Sequence, residues 1–96
     1  MPQIVSPIPQ FLKDPAGVLD FEYDWTGWLA SDEAIQTFDV QADTGITKGS
    51  TTQSGGKVVC WFSGGESGKY YYAACTIVTT QGRTDVRRIQ IAVINR

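Results

Sequence analysis

Between Val18 and Trp25 the chain alternates with a period of two: Leu19, Phe21, Tyr23 and Trp25 share one side of an extended backbone, and Asp20, Glu22 and Asp24 the other. That pattern predicts a half-buried strand. Thr26-Gly27-Trp28-Leu29 then breaks the period, and the spacing of Trp25 and Trp28 suits one short helical turn whose two indoles plug an end of the core. After the polar Ser31-Asp32-Glu33, a second strand is predicted from Ala34 to Ala42 with Phe38, Val40 and Ala42 on a common face, closed by Asp43-Thr44-Gly45. Ile46 to Gln53 is polar and Thr-rich, which fits an edge strand or a loop, and Ser54-Gly55-Gly56 ends it.

Two further β-type runs, Lys57 to Phe62 and Lys69 to Thr80, flank a turn containing Gly64, Gly65 and Gly68, and together they predict a long hairpin. In its second arm Tyr70, Tyr72 and Ala74 fall on one face and Tyr71, Ala73, Cys75 and Ile77 on the other. Gln81-Gly82 marks another turn before a last strand, Thr84 to Ile94, which carries Arg87, Ile89, Ile91 and Val93 on one side. Six or seven strands with no helix of several turns point to an all-β fold, an immunoglobulin-like antiparallel β-sandwich, with a small barrel as the competing fold. Its expected core is Leu19, Phe21, Tyr23, Trp25, Trp28, Phe38, Val40, Ile89, Ile91 and Val93.

The first fifteen residues hold all four prolines, Pro2, Pro7, Pro9 and Pro15, which interrupt helix and central strand alike. Residues 1–15 are therefore expected to form an extended Pro-rich N-terminal arm ahead of a sandwich domain at 16–96. Ile4, Val5, Ile8, Phe11 and Leu12 are too many for an inert linker and too few for a core. Either the arm is a frayed terminus, or it lies on a neighbouring molecule, with its prolines lowering the entropy lost on docking.

Composition narrows the function. With 96 residues there is one domain, able to bury roughly two thirds of its unfolded surface at most, and three Trp, four Tyr and four Phe compensate for the small size. A net charge of -2 argues against nucleic acid, whose grooves call for clustered Lys and Arg. The chain has no histidine, no activated-nucleophile pattern and no coherent acid pair, so no enzyme activity and no metal or other cofactor is expected. No apolar run reaches the roughly eighteen residues of a bilayer span, and a signal-peptide pattern is missing at the start, so no membrane association is expected. Cys60 and Cys75 lack a metal-ligand spacing; in the expected hairpin Cys60 would face Tyr72 rather than Cys75, and the simplest reading is two buried thiols.

Three groups invite a chemical reading. Asp20, Glu22 and Asp24 are spaced roughly 6.5 to 7 Å apart along a strand, too far to converge at about 2.4 Å on one calcium ion. Ser63 to Lys69 has the glycines and lysine of a phosphate loop but neither the GxxxxGK[ST] order nor a following helix, and a turn explains it better. Arg83, Asp85, Arg87 and Arg88 form a dense charge cluster, to which Asp20, Glu22 and Asp24 are an obvious complement, either within one molecule or between subunits. With Tyr71 these seven residues are the candidate subunit contacts. Trp61 and the Tyr70–Tyr72 run also suit a carbohydrate- or receptor-binding platform, while Trp25 reads as core.

Four blocks in order, KDPAGVLDFEYDW with Trp28-Leu29, Gly45-Ile46-Thr47, WFSGGESGKYYY and TTQGRTDVRRIQIAV, resemble the phage fiber-tail adaptor protein family over Lys13 to the C-terminus. The resemblance implies a noncatalytic structural protein of the virion, placed in the tail or neck after assembly in the host cytoplasm. It implies a homo-oligomeric ring, of six- or twelve-fold symmetry, that acts as adaptor or connector between tail, fiber, neck or portal-side proteins. A carbohydrate- or receptor-binding decoration module is the alternative.

Overall fold

The computed structural model describes residues 8–95. Seven strands are present: β1 (Gln10–Lys13), β2 (Leu19–Asp24), β3 (Ile35–Ala42), β4 (Ile46–Ser54), β5 (Lys57–Gly64), β6 (Lys69–Thr79) and β7 (Thr84–Val93). They form a four-stranded sheet in the order β1-β7-β6-β3 and a three-stranded sheet in the order β2-β5-β4. With β2 to β7 in the places of strands B to G, these are the B-E-D and G-F-C orders of an immunoglobulin-like sandwich. The expected all-β sandwich is the fold of the chain.

The core lies between the sheets and is built by the period of two. Phe21 and Tyr23 on β2, Val58, Cys60 and Phe62 on β5, and Tyr71, Ala73, Cys75 and Ile77 on β6 all point inward, with Ile89, Ile91 and Val93 from β7. Trp25, just past β2, is completely enclosed, and its indole stacks on Tyr23 with ring centroids 6.2 Å apart. Trp28 and Leu29 N–H groups both donate to the Trp25 carbonyl, at 2.9 and 3.0 Å, so the expected turn forms and Trp28 packs, half-buried, at the core's margin. Cys60 and Cys75 are buried free thiols. Burial raises both, Cys75 to about 12, which leaves them protonated and inert at neutral pH.

The long hairpin predicted from Lys57 to Thr80 does not form: β5 belongs to one sheet and β6 to the other. Both arms carry an apolar set, and the two sets meet across the core instead of lying side by side in one layer. Alternation cannot distinguish these arrangements, because each needs the same inward-facing residues. The true hairpins are β4–β5, turning at Gly55-Gly56, and β6–β7, turning at Thr80 to Arg83.

Two expected core residues are also corrected. Leu19 opens β2 at the rim and is 38 % exposed, and Phe38, on the edge strand β3, is equally exposed. Ile35 takes the inward place instead, because a bulge between Ile35 and Thr37 shifts the register and puts Ile35 and Val40 on the same side despite their odd separation.

Part of the expected arm is strand instead. Gln10 to Lys13, expected within it, form β1 and pair in parallel with β7 from Gln90 to Val93. Phe11 packs on Phe21 at 4.9 Å between ring centroids. Lys13 is fully buried beside Val93, and its ammonium donates to the Gly64 carbonyl at 2.7 Å and the Asp14 carbonyl at 3.0 Å. Burial pulls its pKa below the ordinary lysine value, against the opposing pull of Asp14. The contact ties β1 to the end of β5, across the two sheets. Ile4 and Val5 lie outside the described residues.

Candidate interaction surface

Register fixes what the outer face of the four-stranded sheet presents, because residues opposite one another share a side. Leu12, Ala92 and Tyr70 form one row across β1, β7 and β6; Gln10, Gln90 and Tyr72 form the next; Arg88 stands opposite Ala74, and Val86 opposite Thr76. Leu12, Tyr70, Tyr72 and Val86 are all exposed, Tyr70 most of all at 62 %. A chain of hydrogen bonds fixes the second row: Gln10 Nε2 donates to Gln90 Oε1 at 2.7 Å, and Gln90 Nε2 donates to the Tyr72 hydroxyl at 3.0 Å. The result is a flat aromatic and aliphatic surface with ordered polar groups, the composition found at the centre of protein contacts. It runs to the edge strand β1, which among the described residues has a strand neighbour on one side only.

The outer face of the three-stranded sheet has another character. Asp20 lies opposite Trp61, Glu22 opposite the half-buried Val59, and Asp24 opposite Lys57. Trp61 is 42 % exposed, and Lys57 approaches Glu22 at 4.0 Å. This face is an indole bordered by carboxylates.

The arginine cluster divides. Arg83 reaches Glu33 with two nitrogens, lies over the Trp28 ring at 3.9 Å and donates to the Trp28 carbonyl at 3.3 Å. Arg87 lies over the Trp25 ring at 5.0 Å, donates to the Asp24 carbonyl and sits 3.6 Å from Asp85, which accepts the Trp25 indole N–H at 2.8 Å. Arg83, Asp85 and Arg87 thus brace the two tryptophans of their own molecule. Among the described residues, the side chains of Arg88 and Asp20 have no hydrogen-bond or ion-pair partner. Tyr71, expected at an interface, is buried instead: its hydroxyl accepts the Glu66 N–H at 3.0 Å and its ring lies beside Gly65.

Glu33, read from sequence only as part of a polar stretch, is the anchor of this end of the sandwich. Its side chain is fully enclosed and accepts from Arg83, from the Thr79 hydroxyl and from the Ala30 N–H at 3.0 Å. Hydrogen bonding from Arg83 first, then from Thr79, holds its pKa down at about 2 against an ordinary 4.5. A carboxyl lowered on folding contributes stability that is complete above the unfolded value, near 4.5, and disappears as the pH falls through about 2. The melting temperature, followed by circular dichroism, is therefore expected to drop steeply across that window. The Glu33→Gln variant, less stable at neutral pH, should show a shallower acid limb, with the remainder coming from Asp24 and Glu66, which Thr26 and Lys69 also hold low. An unchanged limb would remove Glu33 from this role.

A depression of about 420 Å³ is lined by Thr26, Leu29, Ala30, Glu33, Ile35 and Gly56, among others. Glu33 faces it with both oxygens already engaged. Among the described residues no cluster of three or more His, Cys, Asp or Glu is placed to hold a metal ion, and no helix is long and apolar enough to cross a membrane.

A two-sheet sandwich with an apolar, aromatic outer face and an acidic one is a small all-β protein-contact module. Comparison with protein families makes this specific: the chain belongs to the family described as Podophage GP4 fiber-tail adaptor protein gp77, matched over residues 13–92. It is thus a structural adaptor protein of a phage tail. No curated protein matches it.

Proposed function

We propose that the protein assembles head to tail into a homo-oligomeric ring in the tail or neck, without catalytic activity, and that its N-terminal residues hold a neighbouring tail, neck or fiber protein. Assembly takes place in the host cytoplasm. The observation that supports this best is the exposed Leu12 on the edge strand β1, in one row with Tyr70, with an exposed Ile8 just ahead of the strand. An extended segment of a partner can add to such an edge through backbone hydrogen bonds while its side chains meet the exposed residues. Individual contacts need little strength, because many copies in one ring raise the effective concentration. The alternative, a glycan- or receptor-binding module using Trp61 together with the tyrosines, loses its common platform, since Trp61 and Tyr70 lie on opposite outer faces.

The test is a truncation that stops short of β1. Removal of residues 1–8 should leave melting behaviour nearly unchanged and abolish incorporation into tails, scored by the protein content of purified particles. Removal through Lys13 is expected to destabilise the fold itself, because Phe11 and Lys13 are part of it. Normal incorporation of the shorter truncation would contradict the role given to the arm.

A further inference from the structure

We propose that each copy lays the outer face of its four-stranded sheet, around Arg88, on the outer face of the three-stranded sheet of the next copy, around Trp61 and Asp20. The inference rests on the ring reading and states which surfaces meet. The molecule is a plate of 43 × 35 × 20 Å with the two faces on its broad sides. A face of that breadth accommodates the roughly 800 Å² per partner of a standard interface. Exposed apolar side chains stand on both sides, Tyr70, Tyr72 and Val86 on one and Trp61 on the other. One docking site would account for one of these faces only.

Charge then selects how copies meet. If two copies met through the three-stranded sheet, Asp20, Glu22 and Asp24 would confront their own counterparts. Meeting through the four-stranded sheet would set Arg88 against Arg88 or against Asp39 one row away, a carboxylate that already accepts from Gln41. Only the unlike pairing brings the side chains of Arg88 and Asp20 together, with Tyr and Trp alongside, the residue types that dominate contact energies. A contact between two different faces is heterologous and propagates in one direction, so it closes into a ring or continues as a filament.

Sedimentation velocity at increasing concentration tests this with wild type, Arg88→Glu, Asp20→Arg and the double variant. Both side chains are exposed and without partners, so thermal melts should stay unchanged and exclude loss of fold. Each single reversal is expected to weaken self-association about tenfold or more, and both the double variant and an equimolar mixture of the two single variants should recover it. Single variants that associate like wild type, or a double variant that stays monomeric, would overturn the face assignment and leave the ring reading standing. Wild type that remains monomeric at millimolar concentration would overturn both.

Discussion

Replacing Trp25 by alanine should remove about 3–5 kcal/mol of stability, the usual cost of emptying a buried aromatic site. A domain of this size has roughly 5–15 kcal/mol in total, so the variant is expected to be close to unfolding at 37 °C. Trp25 is unusual in joining three layers of interaction. Its ring is completely buried against Tyr23, its N–H is bound by Asp85, and Arg87 lies over the ring. Trp25→Phe separates these effects, because it keeps most of the apolar burial and deletes the hydrogen bond, for a loss of about 1–3 kcal/mol. Urea titrations followed by fluorescence or circular dichroism give both values. A loss below about 1 kcal/mol for the alanine variant would show that the pocket collapses around the deletion or is not sealed.

The second large effect is expected from Gly65→Ala. Gly65 has φ +93°, where an L side chain is strained, and a Cβ there would lie 2.7 Å from Val93 Cγ2 and 3.3 Å from Tyr71 Cε2. Backbone strain of about 1–3 kcal/mol and overpacking of about 1–3 kcal/mol together predict a loss of roughly 2–6 kcal/mol. Gly68→Ala is the control. Gly68 has φ +88° but open space around its Cα, so it incurs the backbone cost alone. The difference between the two urea midpoints isolates the packing against Val93 and Tyr71. Equal losses would mean that the crossing between sheets relaxes to admit a methyl group.

The strands and the sandwich were legible in the sequence because each of β2, β5, β6 and β7 alternates cleanly, and the enclosure of Trp25 followed from its place at the end of one such run. Which strands pair was not legible. Val58 to Phe62 and Tyr71 to Ile77 look the same from their own residues whether they adjoin in one sheet or face each other across the core. The prolines concealed β1, because Pro9 and Pro15 border a paired segment only four residues long. For the contact surfaces, the sequence supplied the charged residues but not their allocation. Arg83, Arg87 and Arg88 are close neighbours in the chain, yet the first two brace tryptophans and the third alone faces outward. Arg83 is held by Glu33 and Arg87 by Trp25 and the Asp24 carbonyl, partners distant in sequence that no local pattern marks.

The parallel pairing of β1 with β7 has a consequence for biosynthesis. β1 precedes β7, its strand partner among the described residues, by all the other strands of the sandwich, so it stays without that mate until translation has passed Val93. A chain stopped earlier keeps Lys13 without its buried niche beside Val93 and leaves the edge of β6 bare. Prematurely terminated products therefore lack the surface that β1, β6 and β7 create together.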